Sequence, residues 1–211
     1  MFALVIVLAS SVNAATVEVI DQHSDYYGGS RNIGLFSPLG QEFTPTMSPL
    51  IAVELYVESP IINPPLPDNT ITVHIREATI DGNILGTASR LASSGFEGWL
   101  RFDFPGGIDM TFGLGSSVYV IEVSSSGTTF VLHFSPTDVY LGGRSIVSGA
   151  PVATEDQSFR TYSTKETSPS GTSGHVGGEV FSANKLAVLS PYLALFSVIA
   201  VAAVLVKRHR T

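Results

Sequence analysis

The chain has 211 residues, of which 14% are charged and 44% hydrophobic, with 20 Gly, 12 Pro, no Cys and a formal net charge of −7. That length holds one ordinary domain plus appendages, and the lack of cysteine excludes disulfides, thiolate metal sites and cysteine nucleophiles. The acidic balance excludes nucleic acid as a partner, since binding phosphates requires clustered Lys and Arg.

Phe2 to Ala9 (FALVIVLA) is a short apolar run, followed by Ser10-Ser11 and Val12-Asn13-Ala14. An apolar stretch of about 7–15 residues before small residues at −3 and −1 reads as a secretory signal, so residues 1–14 are expected to be a signal peptide cut after Ala14. No basic residue precedes the run. It is too short to span a bilayer, which needs about 20 apolar residues.

Between Ala15 and Tyr162, short alternating runs recur between Gly, Pro, Asn and Asp breakers. That is the pattern of a sandwich or barrel and not of βαβ units. Ala52 to Glu58 sets Val53, Leu55 and Val57 against Glu54, Tyr56 and Glu58. Thr70 to Arg76 sets Ile71, Val73 and Ile75 against Thr72, His74 and Arg76. In Trp99 to Phe104, Leu100, Phe102 and Phe104 oppose Trp99, Arg101 and Asp103. Tyr119, Ile121 and Val123 form one face of the next strand, and Phe130, Leu132 and Phe134 that of the following one, with His133 outward. Each strand thus has one apolar face for a common core. The expectation is an all-β, antiparallel β-sandwich of seven to nine strands over residues 15–162. Asp81-Gly82 is expected in a turn needing positive φ, Pro105-Gly106-Gly107 closes the Trp99 strand, and the prolines of Asn63 to Asp68 confine that stretch to an edge loop.

Residues 163–185 open with a Ser/Thr/Gly/Pro-rich stretch without apolar periodicity and read as a flexible stalk. Leu186 to Val206 carries no charge over 21 residues, enough at about 1.5 Å per residue to cross a hydrocarbon core roughly 30 Å thick. Lys207, Arg208 and Arg210 follow in the tail, residues 207–211. Up to Lys185 there are 8 Lys/Arg against 18 Asp/Glu, a net of −10, while the tail carries +3. The positive-inside rule then gives a single-pass cell-membrane protein with its N-terminal domain outside and its C-terminus in the cytoplasm.

Gly40-Gln41-Glu42-Phe43-Thr44, Ile71 to Arg76, Gly98-Trp99-Leu100-Arg101-Phe102-Asp103-Phe104 and Tyr119 to Val123 occur in an order that resembles secreted and surface β-sandwich modules of bacterial and archaeal extracellular proteins. These are jelly-roll domains similar to carbohydrate-binding modules, and the likeness runs from about Ile33 to Tyr162. The resemblance implies a jelly-roll-like sandwich. Its motifs are structural, and such modules often hold a structural Ca²⁺ in their loops.

The chain contains no GxSxG, HExxH or P-loop, and no catalytic residue is assigned. Asp103 and Glu122 could form a carboxylate pair, whose separation would decide glycoside hydrolysis. His74 and His133 could converge as ligands. Asp21, Asp25, Asp68, Asp81, Asp138, Glu155 and Asp156 are candidate donors for a structural Ca²⁺, which takes six to eight oxygens; no other cofactor is expected. The sharpest candidate is a ligand-binding face of Trp99, Arg101, Asp103, Tyr56, His74 and Arg76, because aromatic rings stack on sugars while polar neighbours bond hydroxyls. Tyr26, Tyr27 and Tyr140 lie near glycine-rich loops and could add to it. The expected function is a non-catalytic, membrane-anchored surface domain for adhesion or glycan binding, with an extracellular glycan or an envelope protein as partner. The alternatives are a structural cell-envelope component and an extracellular glycoside hydrolase.

Overall fold

The computed structural model describes residues 15–60, 67–110 and 117–167. The expected signal peptide, the stalk beyond Thr167, the membrane helix, the basic tail and most of the Asn63–Asp68 loop lie outside these residues. No helix occurs among them. They form two antiparallel sheets.

The larger sheet holds β1 (Ala15–Ser24), β13 (Phe159–Thr167), β4 (Leu50–Glu58), β9 (Val131–Ser135) and β12 (Asp156–Gln157) in that order, with β7 (Glu97–Ile108) on β4 and β2 (Gly29–Asn32) on β9. The smaller sheet runs β11 (Ala150–Val152), β10 (Ser145–Val147), β3 (Leu39–Phe43), β8 (Tyr119–Ser125), β5 (Asn69–Glu77) and β6 (Ile84–Ala92). Eight of these strands therefore lie as β1-β13-β4-β7 in one sheet and β3-β8-β5-β6 in the other. Along the chain they alternate between sheets except at the β5–β6 hairpin, which is the connectivity of a jelly-roll-like sandwich.

The core follows the alternation seen in the sequence. Val53, Leu55, Val57, Phe102, Leu132 and Phe159 of the larger sheet, and Leu39, Phe43, Ile71, Val73, Ile75 and Ile121 of the smaller, are all fully buried in one cluster. Each such side chain stabilises the fold by about 1.5–3 kcal/mol through apolar burial. Phe134 differs from expectation: it is half-buried, with the Arg31 guanidinium 3.9 Å from its ring centroid.

Four further expectations change. Among the described residues there are thirteen strands and not seven to nine, because strands of two to five residues are too short to show a period. Pro105-Gly106-Gly107 does not end β7. It forms a bulge between the Ala52–Asp103 and Leu50–Ile108 pairs, with Gly106 and Gly107 at φ 86° and 74°, the positive φ that glycine adopts without a Cβ clash. The domain continues past Tyr162, since Ser163 to Thr167 pair with Val19 to Ala15; the backbone ladder to β1 holds this polar segment, which no hydrophobic pattern marks. In the β5–β6 turn the left-handed residue is Ala78, at φ 60°. Gly82 is there for space, because a Cβ on it would sit 1.7 Å from the Glu77 carbonyl oxygen.

Candidate functional site

The outward face of the larger sheet is built in rows across β13, β4 and β7. Tyr162, Ala52 and Asp103 share one row; Arg160, Glu54 and Arg101 share the next; Tyr56 and Trp99 are direct partners beyond them. Facing residues in adjacent strands stand close enough for side chains to touch. Here they do: Trp99 meets Tyr56 edge-on, with centroids 5.5 Å apart. Tyr27, in the loop between β1 and β2, stacks on Tyr56 at 4.5 Å and 12°. His133 of β9 packs edge-on against both tyrosines, at 6.1 and 5.0 Å.

Charged groups fill the spaces between the rings. Arg160 lies over Trp99, its guanidinium carbon 4.0 Å from the ring centroid, and Arg101 lies over Tyr162 at 4.8 Å. Arg160 donates to both oxygens of Asp25 and pairs with Glu54 at 3.5 Å. Arg101 donates two bonds to Glu18, at 2.7 and 2.9 Å, and a third to Asp103. The Arg101 hydrogen bond holds the Asp103 carboxyl below its usual range, and the bonds to Glu18 and Asp25 raise Arg101 and Arg160 respectively. Partial burial, then the hydroxyl bond to Glu97, raises Tyr56. His133 Nε2 lies 2.9 Å from Glu58. The face is thus an aromatic strip of Tyr27, Tyr56 and Trp99 in a lattice of closed ion pairs.

Four of the six expected site residues, Tyr56, Trp99, Arg101 and Asp103, meet on this face. His74 and Arg76 do not. They lie on the outward face of the smaller sheet, where His74 bonds Thr87 and Arg76 bonds Glu122 and the Gly82 carbonyl. The same separation removes two other expectations. Asp103 and Glu122 stand on the outer faces of opposite sheets, as do His133 and His74, so neither the carboxylate pair nor the histidine pair can form across a core. The residues not foreseen are Tyr162 and Arg160, while the alternation places Glu54, Glu58 and His133 outward without assigning them to this face. Arg160 and Tyr162 do alternate in FRTYS, but only the pairing of β13 with β4 brings them beside Trp99.

Tyr26 and Tyr27 are exposed, whereas Tyr140 is buried. Its hydroxyl accepts from the Thr44 amide and donates to Gln22, and burial pushes its pKa up to about 12. Among the described residues no group of three or more His, Asp or Glu is placed to hold a metal. Asp25 and Glu155 are taken by Arg160 and Arg31, Asp21 by Thr46, and Asp68 accepts from the Ser94 amide. Asp156 is fully buried and accepts from the Val139 and Tyr140 amides and from Gln41; burial raises its pKa. A cleft of about 460 Å³ between Thr44, Val118, Asp138 and Leu141 is walled by Arg144 and Glu42, joined by two hydrogen bonds of 2.7 and 2.9 Å.

No protein-family model matches the chain, and no curated protein does. Among solved structures it is similar to one described as the structure of infectious bursal disease virus Gx strain, with 15% identity, 79% of this chain and 34% of that chain covered, and a TM-score of 0.26. This chain spans about a third of that one, and a likeness so slight has no bearing on function.

Proposed function

We propose that this protein is a non-catalytic recognition domain for glycan or adhesion, displayed outside the cell by the apolar segment 186–206 after export through the segment 1–14. The observation that carries the ligand reading is the Tyr27–Tyr56–Trp99 strip. A sugar ring stacks its C–H face on an aromatic ring while its hydroxyls bond nearby polar groups. Trp99 has Arg160 over its ring and Tyr56 has Tyr27 against one face, so the free stacking surface is the outer face of Tyr27, which is 52% exposed. His133 lies edge-on beside it, with Glu58 2.9 Å from its Nε2, and the two serve as hydroxyl partners. In this reading Trp99 and Arg160 brace the platform from below.

The test is a thermal-melt screen of the chain against a polysaccharide panel. A ligand at a hundredfold excess over Kd stabilises the folded state by about 2.7 kcal/mol, a rise of roughly 5–10 °C for a domain this size. The expected result is a shift with one glycan class that Tyr27→Ala abolishes and Trp99→Ala weakens. No shift with any polysaccharide would reject the glycan reading, and a shift that survives Tyr27→Ala would reject this face. The alternative, a structural envelope component, draws on a different feature: the outer edge of β6, which no described strand pairs with.

A further inference from the structure

β6 ends the smaller sheet, and among the described residues no strand pairs with its outer side. The other long edges are blunted in the ways that prevent strand addition. On β7, Arg90 Nε donates to the Arg101 carbonyl at 3.0 Å, and the Pro-Gly-Gly bulge breaks the line of the strand. β1 carries Glu18, Asp21 and His23, and β11 has three residues with Pro151 in the middle. β6 has only one of these devices, a bulge at Leu85 between the Ile75–Gly86 and Arg76–Ile84 pairs, and its run from Gly86 to Ala92 is unbroken. Its sequence, ILGTASRLA, has no proline and no acid, and its one charge, Arg90, is drawn away to Asp103 of β7.

The backbone of β6 also points the right way. The Thr70 carbonyl accepts from the Ser126 amide beyond β8, while the Glu77 amide donates to the Asn83 carbonyl. By alternation Ile71, Val73 and Ile75 turn their amides and carbonyls to β6, and they face Arg90, Ala88 and Gly86. Thr87, Ser89 and Leu91 therefore direct theirs to the open side, beyond the bulge at Leu85. Their side chains share the outward face of the sheet, where Leu91 is 66% exposed, and Leu85 in the bulge is 40% exposed. Thr87 and Ser89 already bond His74 and Thr72 at 2.8 Å.

This edge is complementary to itself. We infer that two copies of this chain pair β6 with β6, antiparallel, about a two-fold axis through Ala88. That register places Leu85 against Leu91 of the partner subunit and Thr87 against the partner's Ser89, with the reciprocal pairs generated by symmetry. Thr87 and Ser89 then lie in narrow, doubly hydrogen-bonded pairs across the axis. The hydroxyl row Thr72–Ser89 continues into the partner's Thr87, flanked on each side by a leucine pair. Arg90 falls opposite the partner's Gly86, so no like charges meet. Shifting the axis to Thr87 or Ser89 breaks both leucine pairs. The two smaller sheets would then run on as one.

The full chain, purified in a non-ionic detergent, tests this by sedimentation equilibrium at 1–100 μM. Ser89→Pro deletes an open-side N–H without touching the ladder to β5, and Leu91→Lys puts a charge against the partner's Leu85. Each is expected to raise the dimer dissociation constant at least tenfold and to leave the melting temperature within a few degrees. A second measurement reads the register. Ala88 and its symmetry mate form a non-hydrogen-bonded pair with Cα atoms about 4.5 Å apart, inside disulfide range, and the chain has no other cysteine. Ala88→Cys is expected to give a disulfide-linked dimer on mild oxidation, and Glu18→Cys on β1 is not. A monomeric wild type at 100 μM, a dimer unchanged in both edge variants, or equal cross-linking of the two cysteine variants would each overturn the inference.

Discussion

Arg160 and Trp99 sit on strands that never touch, yet the guanidinium carbon of one lies 4.0 Å from the ring centroid of the other. β4 runs between them, and Arg101, two residues from Trp99, makes the mirror contact in the opposite direction over Tyr162. The two arginines thus cross the central strand and tie β13 to β7 through side chains alone.

Removing one of these ties should be modest in energy and plain in spectrum. A cation over an indole at a partly exposed site stabilises by about 0.5–1 kcal/mol, and the surface pairs of Arg160 with Asp25 and Glu54 add little more. Arg160→Ala is expected to cost about 1 kcal/mol in urea unfolding. Because Trp99 is the only tryptophan, its emission reports the change directly and should move to longer wavelength as water reaches the ring.

Asp156→Asn should be much costlier despite being isosteric. One carboxylate oxygen accepts two backbone amides at 2.8 Å, and the other accepts Gln41 Nε2. Gln41 cannot turn its amide round, since its Oε1 accepts from the Gln157 amide at 2.7 Å. Wherever the new NH₂ points, a donor faces a donor in a buried site. The expected loss is about 2–3 kcal/mol at pH 7, measured by chemical denaturation.

Two groups give stability opposite slopes with pH. Tyr140, raised from 10.0 to about 12 by burial, keeps its proton longer in the folded chain. The unfolded chain therefore ionises first, and stability falls as pH rises from about 10 to 12. Asp103, lowered from 3.8 chiefly by Arg101, loses its contribution as pH falls below about 4. Tyr140→Phe should flatten the alkaline limb and cost about 1 kcal/mol at neutral pH, where the Thr44 amide loses its acceptor. Asp103→Asn should flatten part of the acid limb and leave the alkaline one unchanged. Urea midpoints taken from pH 3 to 12 check both.

Glycine substitutions should separate crowding from conformation. A Cβ on Gly82 would stand 1.7 Å from the Glu77 carbonyl oxygen, whereas one on Gly106 would meet nothing within 4 Å but sit at φ 86°. Gly106→Ala is expected to cost about 1–2 kcal/mol, the penalty of a left-handed Cβ. Gly82→Ala must shift backbone and should cost clearly more, read as the difference between the two thermal melts.

The legible part of the fold was what a strand says about its own two faces. Val53, Leu55 and Val57, or Ile71, Val73 and Ile75, reach the core as their alternation requires, because a period of two is written in consecutive residues. Tyr56, Trp99, Arg101 and Asp103 were placed outward for the same reason. His74 and Arg76 were placed outward correctly too, but beside the wrong neighbours, since an outward residue does not state which sheet it is on.

By itself, then, the sequence determined an all-β domain, the inner and outer face of each longer strand, and a candidate strip containing Tyr56 and Trp99. Tertiary structure alone decided that Arg160 covers Trp99, that Tyr27 carries the open ring, that Asp103 and Glu122 are parted by the core, and that among the described strands β6 ends its sheet. The physical reason is range. Alternation is set by the geometry of one strand, while Arg160 and Trp99 are brought together by hydrogen-bonded pairing of β13 and β7 through β4, across a stretch of chain in which no local pattern records the partner.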